Sequence, residues 1–120
     1  MHVIAGDRSS DVLADLQPKP DDYYIVKYRW SAFFQTYLDL ALRTRGIDTI
    51  IISGGSTDVG VTSTLYSGRD LDYNIIVASD ACGTSHDQRA HVMLMELVFP
   101  RMARLRTTDQ VIEMIERARG

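Results

Sequence analysis

Three places in this chain hold residues whose types and spacing could do chemistry: Lys27, the small-residue turn Ser53-Gly54-Gly55-Ser56-Thr57 with Gly60 just beyond it, and Asp80. The turn follows Ile50-Ile51-Ile52, a β-branched run suited to a strand covered on both faces of a parallel sheet. Asp58 to Thr64 can begin a helix directly after it. A strand, a tight turn and a helix start gather backbone N–H groups and the positive end of a helix dipole in one place. Such a cradle can stabilise an oxyanion or hold a small anion. A βα turn that is glycine-rich only because it is tight fits the same residues.

The remaining reactive side chains argue against other chemistries. Cys82 is the single cysteine, so no internal disulfide and no cysteine-based metal cluster is expected. His86 and His91 are five apart, which does not stack them on one helix face, and no third ligand accompanies them. No metal and no cofactor are predicted. The turn also lacks the spacing of G-x-G-x-x-G and of G-x-x-x-x-G-K-[ST], which leaves a small-anion or nucleotide-binding module as a minor alternative.

These groups must be positioned by alternating strands and helices. Tyr23 to Tyr28 reads as a strand ending near Lys27. Ser31 can cap a helix to about Arg45, with Phe33, Phe34, Tyr37, Leu38, Ala41 and Leu42 on one face and Gly46 at its C′ position. After the central strand, turn and helix, Asp72 to Ala78 is a further strand, and Ser79 to Gly83 is expected as a loop at its C-terminal end. Ser85 to Phe99 reads as a helix stopped by Pro100, and Ala103 to Arg106 as a short strand. Thr107 and Gln110 form a capping box for a last helix, whose buried face would carry Val111, Ile112, Met114, Ile115 and Ala118. This alternation predicts a three-layer α/β/α, Rossmann-like parallel sheet, with ligands at the carboxyl ends of the strands. It would be one domain, 1–20 as a covering loop and 21–120 as the parallel α/β core.

The totals agree with one domain. The chain has 120 residues, 45% hydrophobic and 24% charged, with a formal net charge of −3. That balance and the lack of a basic cluster in the linear sequence argue against nucleic acid as a partner. The longest apolar candidate, Val92 to Phe99, is interrupted by Glu96, so no membrane partner is expected. The N-terminus lacks the layout of a signal peptide, and a cytoplasmic location is the expectation.

The residues taken together resemble the isochorismatase-like (cysteine) hydrolases. Ile25-Val26-Lys27, Ser31-Ala32-Phe33, Thr36, Leu38, Leu42 and Gly46-Ile47 are similar to that family's lysine strand and following helix. Gly54, Thr57, Val59, Val61 and Ser63-Thr64 match its nucleophile turn, and Tyr73 with Asp80-Ala81 its next strand and loop. The resemblance runs from about Leu16 to the end. It implies hydrolysis of an amide, imide or vinyl ether, with Lys27 as the lysine that works beside an aspartate and a cysteine nucleophile. It also implies a cis peptide between Gly55 and Ser56, the N–H groups of Ser56 and Gly60 as oxyanion donors, and Trp30, Phe33, Thr57 and Asp80 around the pocket.

Two departures decide what to expect of this chain. The nucleophile position is Gly60, which has no side chain to attack with. Nothing before Leu16 reads as a first strand ending in a catalytic aspartate; Asp7 lies in a Gly-Asp-Arg-Ser loop and is not promoted to that role. Tyr66 and Gly68 are smaller departures, and Cys82 is not expected to be a relocated nucleophile. The reading is therefore a hydrolase homologue without cysteine amidase activity, binding a small amide- or carboxylate-bearing molecule. The alternative is an active isochorismatase-type hydrolase that needs no cysteine and is completed by upstream or partner residues. A missing first strand would leave a sheet edge open, so a homo-oligomer, dimer or larger, is expected.

Overall fold

A computed structural model of the chain describes residues 14–120; most of the expected covering loop, and Asp7, lie outside the described residues. Its centre is a parallel sheet in the order β1-β2-β3, with β1 at Thr49–Gly55, β2 at Asn74–Gly83 and β3 at Arg104–Arg106. Helix α1 spans Leu38–Thr44, α2 Thr62–Asp70, α3 Gln88–Met93 and α4 Thr108–Arg119. A π-type turn, Thr57–Val61, leads into α2, and α3 runs on through a π-type stretch, Leu94–Val98, and a 3-10 turn, Phe99–Arg101.

The alternation of β2 assigns the two faces. Ile75 and Val77 point into a core with Ile52, Val61, Leu65, Tyr73, Leu94 and Phe99. Ile76 and Ala78 point the other way and meet Val111 of α4, with Met114 beside them. Helices thus cover both faces, which makes the predicted three-layer α/β/α arrangement the observed one. Burial of the β-branched run is less even than expected, because Ile51 is 44% exposed. It faces the α4 side, and α4 packs over β2 rather than over β1.

Three of the expected elements are corrected. The stretch 23–28 forms no strand. Side chains at the two ends of α1 hold it instead: Tyr37 donates to Tyr24 O at 2.9 Å, Arg45 donates to Asp21 O at 2.8 Å, and its guanidinium lies over the Tyr23 ring. The helix expected from Ser31 begins only at Leu38. Ser31 does start a turn, its hydroxyl accepting from Phe33 N, but Gln35 has φ +52° and interrupts the helical path. Gly46 does close α1 at φ +69°, with Gly46 N donating to Arg43 O and Ile47 N to Leu42 O.

The third correction concerns the strand ends. Both β1 and β2 continue past the expected breaks at Ser53 and Ser79, and they pair again as Gly54 with Cys82 and Gly55 with Gly83. The register shifts between Ile52 and Gly54, and Gly54 sits at φ +119°, where a side chain would be strained. The last helix keeps its capping box, with Thr107 and Gln110 exchanging both hydrogen bonds. Its buried face is narrower than predicted: Val111 is buried, while Ile112 and Ile115 are 48% and 41% exposed.

One internal tie fixes α1 to the sheet. Tyr73 is fully buried, its phenol donates to Asp39 Oδ1 at 2.6 Å, and Phe33 stacks on its ring at 5.5 Å. Burial, reinforced by that carboxylate, pushes the phenol pKa above its ordinary value.

Candidate functional site

The carboxyl end of β1 carries the site. The peptide bond between Gly55 and Ser56 is cis. Ser56 O then accepts from Val59 N and Val61 N, both at 3.1 Å, which winds the chain into the π-type turn. Ser56 Oγ donates to Asp58 Oδ1 at 2.8 Å and also meets Thr84 Oγ1 at 2.9 Å. The Ser56 bond, foremost, holds the Asp58 carboxyl below the usual carboxylate range.

Lys27 reaches this turn from the irregular segment before α1. Ser31 Oγ donates to Ser67 Oγ at 2.8 Å and Ala32 N to Thr64 Oγ1 at 3.0 Å, so α2 pins the chain just after the lysine. The ammonium curls back and donates to Trp30 O at 3.1 Å and Arg29 O at 3.3 Å. A Cβ built on Gly60 would lie 3.7 Å from Lys27 Nζ, 3.6 Å from Trp30 O and 3.1 Å from Gly55 O. Lys27 and Gly60 are therefore placed together, and Gly60 presents no side chain to the ammonium.

Lys27, Gly55 and Gly60 line one cavity of about 520 Å³, whose remaining wall is mostly apolar, including Phe33, Ile52 and Val61, with Thr49, Ser53 and Thr64 as its hydroxyl-bearing residues. Its lining contains no carboxylate, and Lys27 forms no ion pair among the described residues. The other expected pocket residues divide. Phe33 lines this cavity, but the Trp30 side chain is 69% exposed and belongs to a neighbouring surface cavity with Phe34 and Arg29. Thr57 is fully buried as the first residue of the turn, and its Oγ1 is hydrogen-bonded to His91 Nδ1 at 2.8 Å.

Asp80 does not join the Lys27 cavity. Its Oδ1 accepts from both Thr108 N and Thr108 Oγ1 at 2.7 Å, which ties β2 to the first turn of α4. Those bonds, the Thr108 hydroxyl first, hold its pKa below the usual carboxylate value. A carboxyl whose folded pKa is lowered adds stability above its unfolded pKa, near 4, and loses it as pH falls through the lower folded value. Asp80→Asn should therefore lower the urea midpoint at pH 7, and the difference between the two proteins should shrink as pH falls below about 4. Equal midpoints at pH 7 would show that the charge on Asp80 adds nothing to the Thr108 bonds.

Cys82 is half-buried, and its thiol donates to Ala78 O at 3.4 Å. Burial pushes its pKa up, the wrong direction for a nucleophile. His86 is exposed, and no group of three or more His, Cys, Asp or Glu among the described residues is arranged to hold a metal ion. The bond between Thr57 and His91 was missed by the sequence reading, which gave His91 only a helix face. It joins residues 34 apart, and no local pattern announces such a contact.

Comparison with known proteins follows the same residues. The isochorismatase domain family matches residues 1–110, which extends the likeness upstream of Leu16. The isochorismatase family protein YwoC of Bacillus subtilis is 37% identical over 107 residues, covering 89% of this chain and 56% of that protein. The ureidoacrylate amidohydrolase RutB of Pantoea ananatis is 39% identical over 97 residues, covering 78% of this chain and 39% of that protein. Among solved structures, an isochorismatase-like hydrolase from Alkaliphilus metalliredigens superposes with a TM-score of 0.84 at 33% identity, covering 94% of this chain and 62% of that one. The N-carbamoylsarcosine amidase of Thermoplasma acidophilum gives 0.75 at 31% identity, covering 87% and 58%. The chain spans about half the length of the curated relatives it matches. With the parallel sheet, the turn after β1 and these matches in agreement, the chain belongs to the isochorismatase family of hydrolase homologues.

Proposed function

We propose that this chain binds a small amide- or carboxylate-bearing molecule in the Lys27/Gly60 cavity and carries no cysteine amidase chemistry. The observation that supports it is the missing side chain of Gly60, whose Cβ position lies 3.7 Å from the Lys27 ammonium. A lysine with a carboxylate ligand needs no nucleophile, and the glycine opens room for the ligand beside it. The apolar wall would take a ring or alkyl body, and the N–H groups of Ser56 and Gly60 would face its oxygen. Relatives named as ureidoacrylate amidohydrolase, N-carbamoylsarcosine amidase and nicotinamidase point to the same ligand class.

Titration with nicotinate and nicotinamide, followed by NMR or calorimetry, tests this reading. Nicotinate binding should weaken about tenfold or more on Lys27→Ala, the size expected for losing a hydrogen bond to a charged group. Nicotinamide should not be hydrolysed. Turnover that survives Cys82→Ala, or nicotinate binding indifferent to Lys27→Ala, would overturn the proposal.

One observation favours a second reading. The lining of the Lys27 cavity runs along β1 from Thr49 to Ser53, and β1 has no strand on its outer side among the described residues. A strand supplied by upstream sequence or by a second copy of the chain could bring a carboxylate to Lys27 there and complete an isochorismatase-type hydrolase. Sedimentation or light scattering would then report a dimer or larger assembly, and a monomer without hydrolase activity would remove this reading.

A further inference from the structure

The opposite rim of the sheet carries an unassigned cluster of positive charge. Thr49, Asn74 and Arg104, the first residues of β1, β2 and β3, share a cavity of about 530 Å³ with Arg69 from the end of α2 and Arg101 from the turn before β3. Thr49 and Gly55 are the two ends of β1, so at 3.3 Å per residue this rim is roughly 20 Å from the Gly55 turn. We propose that Arg69, Arg101 and Arg104 form a binding site for the polyphosphate group of a small molecule.

The charge there is not neutralised locally. No acidic residue lines the cavity, and none of the three arginines forms an ion pair among the described residues. Arg69 donates Nη1 to Tyr73 O at 3.4 Å and keeps its other N–H groups. Arg101 and Arg104 donate no hydrogen bond to another described residue, and both are exposed. The carboxylates beside this rim in the chain, Asp48, Asp70 and Asp72, form no ion pair with these arginines; Asp48 accepts from Thr49 Oγ1 at 3.1 Å, and Asp70 lines the separate cavity beside Trp30. The C-terminal end of α2 adds about half a negative charge, far short of offsetting three guanidinium groups. In a chain of net charge −3, such a concentration of one sign is not a general surface property.

The donor geometry selects the ligand. A carboxylate offers two oxygens and is satisfied by one guanidinium fork. Three forks have donors to spare for it, whereas a diphosphate presents enough oxygens and charge for all of them. The Asn74 amide and Thr49 hydroxyl add polar partners at the rim, and the volume leaves room for a small organic body.

Calorimetry of the full chain with pyrophosphate, and separately with ADP, tests the site. Arg101→Gln with Arg104→Gln should weaken pyrophosphate at least tenfold, added salt should weaken it in the intact chain, and Lys27→Ala should leave it unchanged. Thermal unfolding without ligand should give the same midpoint for the double variant, since both side chains are exposed; Arg69→Lys provides a milder third variant. Tighter binding of ADP than of pyrophosphate would identify a nucleotide as the source, and equal binding a free polyphosphate. No binding of either at millimolar concentration, or binding untouched by the double variant, would overturn the proposal.

Discussion

A Gly60→Cys substitution is expected to produce a thiol that titrates about one unit or more below the ordinary cysteine value of about 8.5. The Cβ it adds would lie 3.7 Å from Lys27 Nζ, so the sulfur would sit within reach of an ammonium with no carboxylate partner among the described residues. An opposite charge at this range favours the ionised form by one to three units in comparable pairs. The substitution should be tolerated. Gly60 is not at a left-handed φ, and the tight contact, 3.1 Å to Gly55 O, asks that carbonyl to shift by a few tenths of an ångström. That strain, on the order of 1 kcal/mol, is opposed by the gain of about 0.5–1 kcal/mol from removing a glycine. Iodoacetamide alkylation against pH, in a Cys82→Ala background, reads the result. Adding Lys27→Ala should return the titration to the ordinary value. A thiol that titrates normally with Lys27 present would mean the ammonium does not face position 60. Amide turnover is not expected even from Gly60→Cys, because no described carboxylate stands beside the lysine to move the proton.

The sequence announced the scaffold through signals that are local in the chain. The β-branched run at Ile50 to Ile52, the capping box at Thr107 and Gln110, and the C′ glycine at Gly46 each work within a few residues, and each has its expected structure. The carboxyl-end rule of parallel sheets grouped Lys27 with the Gly54 to Gly60 turn at one edge. The facing of Lys27 and Gly60 came only by resemblance, since 33 positions separate them and no period relates them. What misled was equally physical. Tyr23 to Tyr28 has strand composition, but a strand exists only with a ladder partner, and here α1 supplies side-chain anchors in place of one. Phe33 to Leu42 has helical periodicity, yet the residues before Leu38 serve to dock on α2 through Ser31 and Ala32. Asp80 reads as a site residue because it leaves a strand at the ligand-binding edge. Its carboxylate is instead engaged by Thr108, a contact 28 positions away.

Phe99→Ala is expected to lower stability by about 3–5 kcal/mol, the usual range for emptying a buried phenylalanine site. Phe99 is fully buried and packs with Leu65, Tyr73 and Val77, so it joins the helical layer to the central strand. Its carbonyl also accepts from Met102 N at 2.9 Å and Ala103 N at 2.8 Å, forming the turn that sets up β3. Those backbone bonds survive the substitution, so the loss is one of packing and cavity rather than of hydrogen bonding. A domain of this size has only about 5–15 kcal/mol in total, and the variant should be partly unfolded or close to it at 37 °C. Ile115→Ala provides the contrast. Ile115 carries a side chain of similar apolar character but is 41% exposed on α4, and its removal should change stability by less than about 1 kcal/mol. Urea midpoints with a common slope would measure both. A Phe99 loss no larger than that of Ile115 would mean that the α3 side of the sheet is not where the core lies. The Lys27/Gly60 cavity, whose wall shares Ile52 and Val61 with that core, would then have no rigid floor.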